Sequence, residues 1–296
     1  MKTFLLVCLG AVAAIYLAVW LRAIKRSPGE LGPPTLLQSA IGFVTNFFDT
    51  LGIGAFAPTT ALFRMWRIVP VERIPGTLNV GSSLPAILQA FIYIAIIEVD
   101  ALTLVVLIAA AALGAWLGAG VVSGWPRRRI QIGMGLALLA ASGLLVAANL
   151  QLVPGGGAAL TLRGPPLLLA TVGNFMLGAL MTLGIGLYAP CLIMLSLLGM
   201  NTRAVFPIMM GSCAFLMPTA SIRFIREGAY SLRPALGLAI AGIPAVLLAA
   251  YVVKSLPLTT LRWVVAAVVS YTSVTMLVAA LRERGQSAAE GLPAAE

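Results

Sequence analysis

The chain has 296 residues, 60% of them hydrophobic and 9% charged, with a formal net charge of +10 and no histidine. An average soluble domain carries roughly 25% charged residues, so this composition cannot cover a water-facing surface and excludes a soluble globular protein. The lack of histidine removes the commonest general base and metal ligand. Cys8, Cys191 and Cys213 lie far apart in apolar runs with no CxxC, and they read as small packing residues with no metal or cofactor to hold. Basic residues gather at the ends of apolar runs, as membrane topology requires, and not among exposed aromatics, which argues against nucleic acid as a partner.

In chain order, Lys2 precedes an apolar run over Phe4–Leu21 that has no small-residue cleavage site and ends in Arg22, Lys25 and Arg26. This predicts a retained N-terminal transmembrane helix with a stop-transfer flank, residues 1–30. Further apolar runs follow over 35–63, 75–97, 102–124 and 130–150, a first membrane repeat within 31–150. The segment 151–166 opens on Pro154 and three glycines, a loop signal. A second repeat, 167–282, holds runs over 167–198, 204–226, 233–253 and 259–281. The tail, 283–296, is polar and rich in Ala, Glu and Gly, and is expected to be disordered.

The repeat is written in the residues. Thr50-Leu-Gly-Ile-Gly-Ala-Phe-Ala-Pro58 recurs 132 positions later as Thr182-Leu-Gly-Ile-Gly-Leu-Tyr-Ala-Pro190, and Pro75 and Pro207 keep that offset. Internal repeats in a membrane chain are a mark of transporters. Glycine weakens a helix by about 1 kcal/mol and accepts φ > 0, and the proline removes a further donor. A breaker doubled at matching positions predicts two interrupted helices at a binding site. Gly114 and Gly118, by contrast, read as small-residue helix packing.

Run 35–63 is 29 residues long, about 44 Å as helix. It either crosses while broken or re-enters as a hairpin. If both long runs cross, the 19 basic residues divide 10 against 9. If both re-enter, Arg22, Lys25, Arg26, Arg64, Arg67, Arg73, Arg127, Arg128, Arg129, Arg223, Arg226, Arg233, Arg282 and Arg284 share one face, 14 against 5. The positive-inside rule favours the asymmetric solution. The expected fold is therefore an all-α polytopic membrane protein of two inverted repeats. Each repeat has one broken, re-entrant Gly-Ile-Gly segment and three transmembrane helices, and one extra helix precedes them. The C-terminus is expected in the cytoplasm and the chain in the cell (inner) membrane.

The duplicated glycine-rich segment ending in proline, an Arg-bearing loop and a small-residue helix together resemble the sulfite exporter TauE/SafE family. Here these are Gly52-Ile-Gly54 to Pro58, Arg64–Arg73 and Val80-Gly-Ser-Ser83, then Gly184-Ile-Gly186 to Pro190, Arg203 and Met210-Gly-Ser-Cys213. Each half closes on a proline and basic residues, at Pro126-Arg-Arg-Arg129 and at Pro257 to Arg262. The resemblance covers about residues 35–281. A Gly-x-Gly stands where many members carry a longer glycine run, and the N-terminal helix is additional. The resemblance implies transport of sulfite, an organosulfonate or a related carboxylate anion.

Asp49 is the single acid deep in an apolar run. An Asp at a helix centre costs about 2.5–3.5 kcal/mol on insertion scales, so it should face protein or a water-filled cavity. It is the candidate proton-coupling residue, or else a carboxylate pinned structurally by neighbours. The second repeat carries Met181 there. An anion needs donors, and a helix restarting after Gly54 or Gly186 offers free N–H groups and a positive dipole end. The candidate substrate-binding set is Asn46, Thr50, Gly52, Gly54, Ser82, Ser83, Asn174, Thr182, Gly184, Gly186 and Ser212. Single hydroxyls also bond back to their own helix, and amides also pair helices. Arg223 reads as an interface anchor or a neutralising charge. With no Walker A loop and no clustered intramembrane acids, the expectation is a secondary transporter exporting a small anion and not an enzyme. A non-transporting membrane assembly factor, and an integral-membrane enzyme, are the alternatives.

Overall fold

A computed structural model describes residues 2–26, 32–122, 157–182 and 186–252 throughout, together with Gly184 and isolated positions within 125–152 and 270–278. The expected spans 130–150 and 259–281 fall largely outside the described residues. So do Arg127, Arg282, Arg284 and the tail 283–296. Among the described residues the protein is all-helical, with nine α-helices. These are α1 (Lys2–Arg26), α2 (Leu36–Thr50), α3 (Phe56–Met65), α4 (Ile74–Ile96) and α5 (Ala101–Val122), then α6 (Gly164–Met181), α7 (Tyr188–Leu197), α8 (Thr202–Arg226) and α9 (Leu232–Val252).

Six of these segments are long and apolar enough to cross a membrane: Thr3–Arg26, Val71–Ile96, Ala101–Val121, Gly164–Met181, Arg203–Arg226 and Leu232–Tyr251. Large apolar side chains lie on their outside, such as Phe4, Ile15, Leu113, Leu169 and Leu248. This is a polytopic membrane protein. The expected interruptions are present. α2 begins with a capping box, in which Thr35 and Gln38 exchange bonds of 3.2 and 2.9 Å. It stops at Thr50, because Gly52 and Gly54 take φ of 83° and 91°, a region open mainly to glycine. Gly184 does the same after α6, with φ 88°.

Interhelical contacts fix the directions. α2, α4 and α9 run side by side: Gly42 sits against Gly237 and Leu238, Gly81 against Ala235 and Leu238, and Pro85 against Gly242. α5, α6 and α8 form a second parallel set, with Asn174 donating to the Leu107 carbonyl at 2.7 Å and Gly211 packed on Ile108. The two sets are antiparallel, because α4 meets α8 through Gly76 on Phe224 and Ser83 on Ser221, 3.2 Å apart. Gly114 and Gly118 are packing glycines. Cβ atoms there would lie 2.0 Å from the Phe175 carbonyl oxygen and 2.7 Å from that of Ala179.

Neither broken segment continues straight on. Gln38 near the start of α2, Ile68 just beyond α3 and Arg73 before α4 line one cleft with Leu232 and Arg233. The chain therefore returns to the end it left. At the opposite end, Asn201 beyond α7 donates its N–H to Ala159, before α6, at 2.8 Å. The cleft of Arg22, Arg26 and Arg226 lies at the same end as Arg73 and Arg233. Arg163 is at the other end, bound to Asp100 at 2.8 Å. The Arg163 guanidinium, with the Thr103 N–H, holds the Asp100 carboxyl well below the usual carboxylate range.

Candidate functional site: two helix breaks around a buried carboxylate

The tips of the two broken segments meet inside the protein. Asp49, Gly54, Ala55 and Phe56 from the first, and Met181, Gly186, Leu187 and Tyr188 from the second, line one cavity. Ser82 of α4 and Cys213 and Met217 of α8 complete it. Measured to the centre of a water-sized sphere, the cavity is about 10 Å³, room for about one water. No oxyanion fits until the tips part.

Asp49 is buried, and among the described residues no hydrogen-bond partner of its carboxylate is cationic. Oδ1 accepts the Ala55 N–H at 2.5 Å, at the start of α3. Oδ2 accepts from Gln89 Nε2 at 2.9 Å and stands 3.3 Å from the Tyr188 hydroxyl. That hydroxyl is closer to Gln89 Oε1, at 2.8 Å. A hydroxyl carries one proton, so it serves one acceptor at a time and keeps lone pairs free. Asp49 can thus hold a proton on Oδ2 with the Tyr188 oxygen as acceptor, or be ionised and receive donors instead. The arrangement satisfies both protonation states, as proton transfer at one atom demands. Gln89 Nε2 also reaches Thr50 Oγ1 at 3.1 Å, and the Tyr93 hydroxyl donates to the Thr50 carbonyl at 2.6 Å.

The other expected residues divide. Asp49, Gly54, Ser82 and Gly186 border the cavity. Gly52 packs near Phe206, and Thr50 bonds back to the Asn46 carbonyl at 2.8 Å, one layer behind Asp49. Asn46 donates to the Gly42 carbonyl at 2.8 Å, and its Oδ1 has no partner among the described residues. Ser83 is spent on Ser221, and Asn174 on Ser212 at 3.0 Å. Both are bonds between helices. Thr182 bonds back to Ala179 at 2.6 Å, and Gly184 supplies the turn. Arg223 lies over the Trp116 ring at 4.2 Å, the place of an anchor on α5. Among the described residues no group of three or more Asp, Glu or Cys could hold a metal.

No protein-family model, curated protein or solved structure matches this chain.

Gln89, Tyr188 and Tyr93 are the site residues that inspection of the sequence passes over. Gln89 left a signal as an amide inside an apolar run. Tyr188 left a weaker one, as the hydroxyl that distinguishes the second nonapeptide from Phe56 in the first.

The glycines carry a separable expectation. A Cβ at Gly54 meets nothing within 4 Å, but φ is 91°, so Gly54→Ala should destabilise by about 1–3 kcal/mol through backbone strain. Gly186 has no such φ, and a Cβ there lies 3.9 Å from Phe56; Gly186→Ala should leave the melting temperature near that of the parent. Leucine at either position fills the cavity and should abolish flux in protein that still reaches the membrane. Near-normal flux in both leucine variants would return these glycines to a packing role.

Proposed function

We propose that the protein is a secondary transporter that exports a small anion across the cell inner membrane, with proton coupling at Asp49. The observation that carries this reading is the meeting of two helix breaks at one buried cavity beside a carboxylate that has no cationic partner among the described residues. Discontinuous helices that face each other across a central site are the architecture of secondary transporters. The antiparallel sets α2, α4, α9 and α5, α6, α8 support an inverted pair of repeats, because the 132-residue offset pairs α2 with α6, α3 with α7, and α4 with α8. The duplicated motif keeps its resemblance to the TauE/SafE family, and sulfite, an organosulfonate or a small carboxylate is the substrate class it suggests. Parting of the tips toward one end and then the other gives alternating access around a fixed site. The basic end faces the cytoplasm in this reading, with the C-terminus on that side.

The test is flux. Purified protein in proteoliposomes should move such an anion, and an imposed pH gradient should drive its accumulation. An assembly factor or a membrane enzyme would give none. Sidedness has its own check in a background without the three native cysteines. Glu72→Cys and Glu227→Cys should resist an impermeant thiol reagent applied from outside, and Arg203→Cys should react. Labelling of Glu227→Cys with protection of Glu72→Cys would overturn the inverted arrangement.

A further inference from the structure

The two helix breaks differ at the position that decides what each can bind. At the first, Asp49 places a carboxylate on the Ala55 N–H, so the N-terminus of α3 already holds an anion. At the second, the equivalent residue is Met181, and α7, ten residues long, begins with no side chain capping its N-terminus. Pro190 has no N–H, so the donors at this end are the N–H groups of Leu187, Tyr188 and Ala189, which with the positive dipole end have no side-chain cap among the described residues. A second observation points to the same place. Ser82 is 3% exposed, its Oγ has no hydrogen-bond partner among the described residues, and it borders the cavity together with Leu187 and Tyr188. Its neighbour Ser83 is fully engaged with Asn79 and Ser221. A buried hydroxyl without a partner is destabilising unless a bound water or a ligand satisfies it.

We propose that each chain binds one small oxyanion of single negative charge at the N-terminus of α7, with Ser82 Oγ as donor, while Asp49 is a built-in anion that fills the corresponding place at α3. The inference rests on the anion-transport reading and adds to it the subsite and the charge class. Among the described residues no Lys or Arg borders the cavity, and its remaining lining is chiefly apolar, with Leu187, Met181, Cys213 and Met217. A dianion would enter a low-dielectric space beside a carboxylate with no cation to balance it. A monoanion needs fewer donors, and the α7 amides and Ser82 supply them.

The duplication makes a prediction that a single site would not. Removing the Asp49 side chain leaves the Ala55 N–H without its acceptor and takes from Gln89 Nε2 the shorter of its two bonds, which opens a vacant copy of the α7 site beside the Tyr188 hydroxyl. Formate, which is the carboxylate of Asp49 without its chain, is the probe, and sulfate the dianion control. Equilibrium dialysis of the purified full chain should show one formate bound per chain and no sulfate. Ser82→Ala, which unpairs no other group and so should fold as the parent does, should weaken formate binding about tenfold. Asp49→Gly should bind a second formate and gain in melting temperature from it. Sulfate binding as tight as formate, no formate binding to the parent, or unchanged affinity in Ser82→Ala would each overturn the proposal. Should Asp49→Gly not fold, Ser82→Ala and the sulfate control still decide. Anion flux with Ser82-independent binding would remove the subsite and leave transport standing. One Ser82-dependent formate without flux of any anion would do the reverse.

Discussion

Asp49→Asn should fold and insert as the parent does, and lose all pH-driven accumulation of substrate. The amide keeps an oxygen for the Ala55 N–H. Its Nδ2 can donate to Gln89 once that side-chain amide turns over, and the Tyr188 hydroxyl then accepts from Gln89 Nε2, so each of these groups keeps a hydrogen bond. What the variant cannot do is take up and release a proton, and no histidine exists to replace it. Exchange of substrate for substrate needs no net proton movement and should continue. Uptake into proteoliposomes with and without a pH gradient separates the two components. If the pH-driven component survives in Asp49→Asn, the carboxylate is structural, and coupling lies with another ion or with the membrane potential. Asp49→Leu supplies the contrast. It leaves the Ala55 N–H unpaired, at about 1–3 kcal/mol, while Gln89 Nε2 keeps only Thr50 and the Tyr188 hydroxyl keeps Gln89 Oε1, and it should reduce the yield of folded protein.

Gly114→Leu is expected to remove folded protein altogether. The α5–α6 crossing is a reciprocal backbone contact. A Cβ at Gly114 would lie 2.0 Å from the Phe175 carbonyl oxygen, and one at Gly178 would lie 2.1 Å from that of Ala111. Backbone cannot rotate aside as a side chain can, so the helices must separate. Separation also breaks the Asn174 bond to the Leu107 carbonyl. Membrane helices associate largely through such close packing, since lipid tails are as apolar as leucine. The combined loss should exceed about 4 kcal/mol, enough to erase a monodisperse peak in detergent. Gly10 is the control, because a Cβ there meets nothing within 4 Å. Gly10→Ala on α1 should be neutral or gain up to about 1 kcal/mol from helix propensity. A stable, monodisperse Gly114→Leu protein would contradict the crossing itself.

Much of this architecture is legible in the residues because it rests on local physics. Apolar runs set the membrane class by length alone. The breaks at Gly52, Gly54 and Gly184 are legible because few other residues accept their φ. Asp49 stands out because an acid in hydrocarbon needs a reason. The shared cleft of Arg22, Arg26 and Arg226, on helices about 200 residues apart, follows the charge pattern of the sequence. What the tertiary structure alone decided is partnership. Tyr188 reaches Asp49 across 139 residues and Gln89 across 99, and no periodicity encodes which helix faces which. Ser82 and Ser83 are identical in type and adjacent in sequence, yet one borders the cavity unpartnered while the other ties α4 to α8. Successive residues on an α-helix point about 100° apart, so their fates separate only once neighbouring helices have taken their places. Asn174 and Ser212 look like ligands in isolation and prove to be each other's partners. A polar side chain in a membrane is satisfied by whatever group packing brings to it, and that is settled by the assembled bundle.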